Sequence, residues 1–240
     1  MIKRFIVLLL CLSLSGCGII DYMFLKPRPK TPLELLEAGK DAMEAKDYKS
    51  AAKYFEKLKD KFPFSPYTKE GEFLLGESLF YAKKYAEAVD AYKEFESLHP
   101  GDRRIPFVLF RIGVADYRQR HTVDLPQQEV EEAIQYFTRL IQGYPNSPYI
   151  ARAQQYIRKC RLILAQHELY VANFYWRTRR YLAAWMRYRY IISHFPDFPS
   201  IVKYCKAMEK FAFIRYEISR AERERKKLQG GWWEKFLNWL

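Results

Sequence analysis

Three glycines set the frame of this chain. Gly39, Gly76 and Gly113 stand 37 residues apart, twice over, and each is followed by the same apolar signature. In the first unit Ala51 comes twelve residues after the glycine, Phe55 four later, Leu58 three further on, and Pro63 five beyond. Ala88, Tyr92, Phe95 and Pro100 repeat those offsets after Gly76. After Gly113 the quartet Ala133, Phe137, Leu140 and Pro145 keeps its internal spacing but begins eight residues late, so a segment has entered the third unit. A fourth copy places Ala172 at the glycine position, then Ala184, Tyr188, Ile191 and Pro196. A period this regular makes each unit one supersecondary element, which hides its apolar face by stacking on the next.

Apolar residues recur at three and four within each unit, as in "AAKYFEKLKDKF" and "AVDAYKEFESL", which is helical spacing; no strand signal competes. The offsets are those of the tetratricopeptide repeat, lengthened by three residues from the usual 34. Small residues at the Gly and Ala positions let helix A and helix B of one unit approach closely. The aromatic one turn after Ala is expected to fill the gap between units, and Pro stops helix B. The phrase "FPFSPY" (62–67) returns 82 residues later as "YPNSPY" (144–149), and reads as a junction. Ser65 or Ser147 is expected to cap the next helix, and Pro66 or Pro148 to take its first turn.

The prediction is an all-α, right-handed solenoid of about five tetratricopeptide-type helical hairpins. Helices are expected over 32–45, 48–62, 66–82, 85–98, 104–119, 127–143, 148–178, 181–195 and 199–227, with a short one over 232–240 after a Gly230-Gly231 break. Units 1–3 occupy 31–147 and units 4–5 occupy 148–228. The span 148–178 has no internal breaker and reads as one helix joining the two groups.

The N-terminus carries an address. Lys3 and Arg4 precede an apolar run from Phe5 to Leu14, too short to cross a bilayer and suited to a secretory signal. Leu14-Ser15-Gly16-Cys17 resembles the lipobox of bacterial lipoproteins. On that resemblance residues 1–16 are removed and Cys17 is acylated, residues 17–30 form a tether, and Pro27, Pro29 and Pro32 keep it extended. Gly18 after the acylated Cys implies an outer-membrane destination. The acyl chains on Cys17 are the only non-protein group expected; no cofactor or metal is.

Charge is uneven. Residues 151–240 hold nineteen basic and seven acidic residues, a net of +12, while 1–150 hold 22 and 21, a net of +1. Such a basic half favours an acidic protein face or anionic lipid, and an exported chain meets little nucleic acid. Cys160 and Cys205 remain once Cys11 is discarded, and read as buried free thiols, although an oxidising compartment would permit them to pair. His99, His121, His167 and His194 lack metal-ligand spacing, and neither a Gly-rich phosphate loop nor a Gly-x-Ser-x-Gly elbow occurs. Recognition rather than catalysis is the expectation.

Aromatics in units two and three (Tyr67, Phe73, Phe80, Tyr81, Phe107, Phe110, Tyr117) are either inter-unit core or the wall of a concave groove. In the second case Tyr67, Phe73 and Phe110 hold an extended peptide and Arg111 pairs with its carboxylate. A later cluster joins Arg177, Arg179, Arg180, Arg187 and Arg189 with Tyr181, Trp185, Tyr188 and Tyr190, the residue types from which interface anchors are built. The end, "GGWWEKFLNWL", places Trp232, Trp233, Phe236, Leu237 and Leu240 on one helical face. It reads either as a cap on the last unit or as a segment that docks elsewhere, on a partner or at a membrane interface.

The lipobox, the tether, the lengthened third unit and the stretches "DLPQQ", "YFTRLIQGYPNSPY" and "HELYVANFYWRTRRYLAAWMRYRYIISHFPD" together resemble the BamD family, lipoproteins of the outer-membrane β-barrel assembly (BAM) machine. The resemblance runs from Cys17 to about residue 220. It implies binding of unfolded outer-membrane proteins by the early units. It also implies contact of the late units with the periplasmic POTRA region of the barrel-forming subunit, where Arg187 occupies the position of a family Arg, and Arg179, Arg180 and Arg189 of the basic cluster are expected to share that contact. Other BAM lipoproteins are implied as neighbours, on the periplasmic face of the outer membrane. A tetratricopeptide lipoprotein serving pilus or cell-wall assembly is the alternative, but those usually keep 34-residue units. The tail at 229–240 has no counterpart in the family pattern.

Overall fold

The computed structural model describes residues 30–237 and 239; the signal-like segment, Cys17 and most of the tether lie outside the described residues. Nine helices follow in order among those described: α1 (Pro32–Glu44), α2 (Tyr48–Lys61), α3 (Thr68–Tyr81), α4 (Tyr85–Leu98), α5 (Ile105–Arg118), α6 (Gln128–Gly143), α7 (Ile150–Arg177), α8 (Tyr181–His194) and α9 (Pro199–Leu237). No strand occurs among them, and each helix packs chiefly on its neighbours in sequence, as in a tetratricopeptide-like solenoid.

The repeat positions explain that packing. A Cβ placed on Gly39 would stand 2.3 Å from the Phe55 ring, on Gly76 2.5 Å from Tyr92, and on Gly113 2.7 Å from Phe137. The aromatic of helix B therefore lies against the helix A backbone of its own unit. This corrects the expectation of a purely inter-unit filler. Phe137 does both, since its ring also stacks on Tyr156 of α7 at 5.4 Å. Tyrosine takes this buried position only where an acceptor follows the small residue: Tyr92 donates to Glu77, and Tyr188 donates to Asn173 Oδ1 at 2.7 Å. Where Lys40 or Val114 follows, the ring is Phe55 or Phe137, which leaves no hydroxyl unpaired.

The turns also repeat. Lys46, Lys83 and Arg179 adopt φ near +60° between helices A and B. In each the next amide donates five residues back, Asp47 to Ala42, Lys84 to Leu79 and Arg180 to Tyr175, at 2.8–3.0 Å, closing a Schellman motif without glycine. Unit three has the inserted loop instead. Buried Gln127 donates through Nε2 to Thr122 and Leu125 carbonyls at 2.9 and 2.8 Å, and His167 of α7 reaches the Val123 carbonyl at 2.7 Å.

Three boundaries differ from expectation. α3 and α7 start at Thr68 and Ile150, after the prolines, and Tyr67 and Tyr149 occupy their N-cap positions without a side-chain cap. Ser65 and Ser147 instead accept from the Tyr67 and Tyr149 amides, both at 3.3 Å, within the preceding turn. At the other end α9 runs through Gly230-Gly231 as one helix of 39 residues, so no separate hairpin follows unit four among the described residues. Lys226, Lys227, Leu228 and Gln229 before the pair are good helix formers, and no proline interrupts. The buried core divides on α7 between Cys160 and Ala165, some way into the helix expected to join the two groups. Cys160 and Cys205 are free and buried, one on each side, with burial pushing their thiols up to about 12 and about 11.

Candidate functional site

An open cleft of about 820 Å³ lies where α3, the α4–α5 turn, the start of α5 and the α6–α7 junction meet. Phe73 and Phe107 form one wall, with ring centroids 5.9 Å apart. The junction 144–149, the second copy of the repeated phrase, supplies the other, from Tyr144 to Tyr149. Tyr149 packs at 5.5 Å from Phe107. The repeated phrase is thus both punctuation and lining, which its resemblance to a mere helix boundary concealed.

Two arginines border the cleft and differ in availability. Arg104 is held inside: its Nε and NH2 donate to Asp102 at 3.0 and 3.1 Å, its NH1 donates to Glu70 at 2.6 Å, and its guanidinium lies 4.4 Å from the Phe73 centroid. Asp102 also meets Lys69 at 2.7 Å, and the Arg104 hydrogen bonds, ahead of any other cause, hold its carboxyl far below the usual range. Arg103 is exposed and makes no ion pair among the described residues. The cleft therefore offers aromatic walls and one unspent cation, a combination that accepts an aromatic side chain and a carboxylate together.

Of the expected groove residues, Phe73 lines this cleft. Tyr67 is exposed but outside its lining. Phe110 is only 3% exposed, stacked on Tyr149 at 5.4 Å, and is core rather than wall. Arg111 is already committed: Nε and NH2 pair with Glu77 at 2.9 Å each, NH2 also meets Tyr81 Oη at 2.9 Å, and the guanidinium lies 4.3 Å from the Phe80 centroid. Pairing with an incoming carboxylate would break that set, so Arg103 is the better candidate. Sequence reasoning missed it because adjacent arginines in a turn look alike until one is seen to be spent.

The late basic face is present as a surface. Arg179 sits in the left-handed turn position, Arg180 precedes α8, and both are exposed. Arg187 NH1 donates to both oxygens of Glu168 at 3.1 and 2.8 Å, with its side chain 44% exposed. Arg189 lies 5.0 Å over the Trp185 ring and 3.8 Å from Glu209. Glu168 holds Arg187 in place without hiding it.

No group of three side chains suited to holding a metal ion occurs among the described residues. The profile of the outer membrane lipoprotein family (YfiO) matches residues 28–228. The outer membrane protein assembly factor BamD of Caulobacter vibrioides is 26% identical over 173 residues, covering 69% of this chain and 57% of that protein. Those of Pasteurella multocida and Neisseria meningitidis serogroup A are each 25% identical, over 174 and 208 residues, covering 68% and 81% of this chain and 67% and 78% of theirs. The chain thus spans little more than half the length of the Caulobacter relative. With helix after helix from α1 to beyond the middle of α9 inside the matched span, the chain belongs to the outer membrane lipoprotein family.

Proposed function

We propose that this chain is a lipid-anchored scaffold of outer-membrane protein assembly, facing the periplasm and binding other polypeptides without transforming them. Cys17 carries the acyl anchor. Unfolded outer-membrane proteins dock in the cleft, where Phe73, Phe107 and Tyr149 receive an aromatic side chain and Arg103 meets a carboxylate. The late face, with Arg179, Arg180, Arg187 and Arg189, receives the POTRA region of the barrel-forming subunit, with other assembly lipoproteins as neighbours. The observation that supports this most is the cleft beside an unspent Arg103, in a chain whose curated relatives are outer membrane protein assembly factors.

Binding of a fluorescent peptide ending in phenylalanine with a free carboxylate tests the cleft. Arg103→Glu is expected to weaken binding by about tenfold, the scale of one charge-assisted contact, with melting unchanged. Equal binding by the amidated peptide and by the variant would reject the assignment. For the late face, Arg187→Glu is expected to lower recovery of the barrel-forming subunit in pull-down while the solenoid stays folded, with melting lowered only by the loss of the Glu168 pair.

A further inference from the structure

α9 is far longer than the helix it packs on. α8 has 14 residues and α9 has 39, so about 21 Å of partner meets about 58 Å of helix. The contacts end early. Cys205, Met208 and Ala212 face the α8 cluster, and Phe213 reaches Trp185 at 5.3 Å. From Arg215 to Leu228 the ion pairs lie within the helix, Glu217–Arg220 at 2.8 Å and Glu224–Lys227 at 3.1 Å.

This projecting part carries an apolar stripe at helical spacing. Phe211, Ile214, Ile218, Ala221 and Leu228 follow one another by three, four, three and seven residues, and Trp239 lies eleven beyond. Their exposure reaches 58% at Phe211, 54% at Ile214, 78% at Leu228 and 82% at Trp239. Basic residues border it: residues 215–228 hold six Lys and Arg against three Glu, a net of +3. Arg225 stands on the stripe itself, seven after Ile218 and midway between Phe211 and Trp239. A symmetric pairing of two such helices about that midpoint, parallel or antiparallel, sets Arg225 against Arg225, which disfavours a second copy. An anionic surface accepts the same arginine, whose stem stays among apolar groups while its guanidinium reaches a phosphate. None of the helices is long and apolar enough to cross a membrane among the described residues. A basic helix with an exposed apolar stripe and a terminal Trp lies along a bilayer surface instead.

The geometry points to the distal half of α9, Phe211 to Leu237, with Trp239 just beyond it, as a second membrane contact: an interfacial helix that lies on anionic phospholipid. It acts independently of the acyl chain on Cys17 and of the polypeptide cleft. With one attachment N-terminal to the solenoid in sequence and one C-terminal to it, the solenoid is held along the bilayer rather than swinging from one tether, since two weak anchors combine where one is marginal.

Vesicle flotation of the full chain carrying Cys17→Ser, which removes the acyl anchor, provides the test. Flotation is expected with phosphatidylethanolamine–phosphatidylglycerol vesicles and much less with phosphatidylcholine vesicles. Ile218→Glu with Leu228→Glu should weaken partitioning by at least about tenfold, since two apolar side chains leave the lipid. Arg223→Gln, Arg225→Gln and Lys226→Gln together should abolish the preference for the anionic vesicles. The substituted positions on α9 are exposed, so melting should stay as in the parent chain. No flotation of the parent, or equal flotation of the parent and the Ile218/Leu228 variant, overturns the inference. So does a dimer in light scattering that Leu228→Glu dissolves, because the stripe would then face a second copy. Peptide binding in the cleft is untouched in every case.

Discussion

Asp116 on α5 is a buried acid with one oxygen unanswered. Its residue is 2% exposed, Gln119 Nε2 approaches Oδ1 at 3.4 Å, and Oδ2 has no hydrogen-bond partner. Burial is the leading cause that raises its carboxyl to about 7. Lys93 of α4 opposes the rise, while Glu132 and Glu129 of α6 and Asp90 of α4 add to it. A carboxyl whose folded-state pKa stands above its unfolded value favours folding fully below the unfolded value, and that contribution is lost as pH rises through the folded one. From 3.8 to about 7 is roughly three units, a ceiling of about 4 kcal/mol at 1.36 per unit. Relaxation and solvent near the Lys93 edge bring the expectation to about 2 kcal/mol. Asp116→Asn removes the titration and keeps the shape. The stability of the variant relative to wild type should therefore rise by about 2 kcal/mol between about pH 4 and about pH 8.5, most steeply between about 4 and 7. In melting temperature this is about 4–8 °C for a chain of this size. Parallel thermal melts across that range, read by far-ultraviolet circular dichroism, measure it. A difference between the two proteins that is constant with pH would refute the reasoning.

Two further outcomes follow from the repeat geometry. Lys83→Gly relieves a left-handed residue inside an intact Schellman turn and should raise stability by about 1 kcal/mol, read in urea melts, whereas Lys83→Val should lower it. Gly76→Val drives a branched side chain into the Tyr92 ring, whose hydroxyl is tied to Glu77, and should cost about 2–3 kcal/mol in the same assay.

The helical order was legible because each unit repeats its reasons. A small residue, an alanine, a ring and a proline at constant offsets specify two helices and a stop, four times over, and the eight helices from α1 to α8 sit where that pattern puts them. The misplacements are equally local. Ser-Pro reads as a cap and first turn, yet the chain spends both residues on a tight turn and starts the helix afterwards. Two glycines read as a break, yet strong helix formers on their N-terminal side carry α9 across them.

The binding residues were less legible, for a different reason. Phe73, Phe107 and Phe110 are chemically the same letter, and Arg103, Arg104 and Arg111 another. Their periodicity places them on helices or turns without saying what lies opposite. By itself the sequence determined an all-helical repeat and a basic second half, because those depend on composition and on offsets within one unit. Only the tertiary structure decided that Phe110 is core, that Arg104 and Arg111 are spent on Asp102, Glu70 and Glu77, and that Arg103 faces an open cleft. Apart from the Arg104–Asp102 pair, which is local to its turn, those outcomes depend on distances between side chains more than thirty residues apart, which stacking of one unit on the next creates.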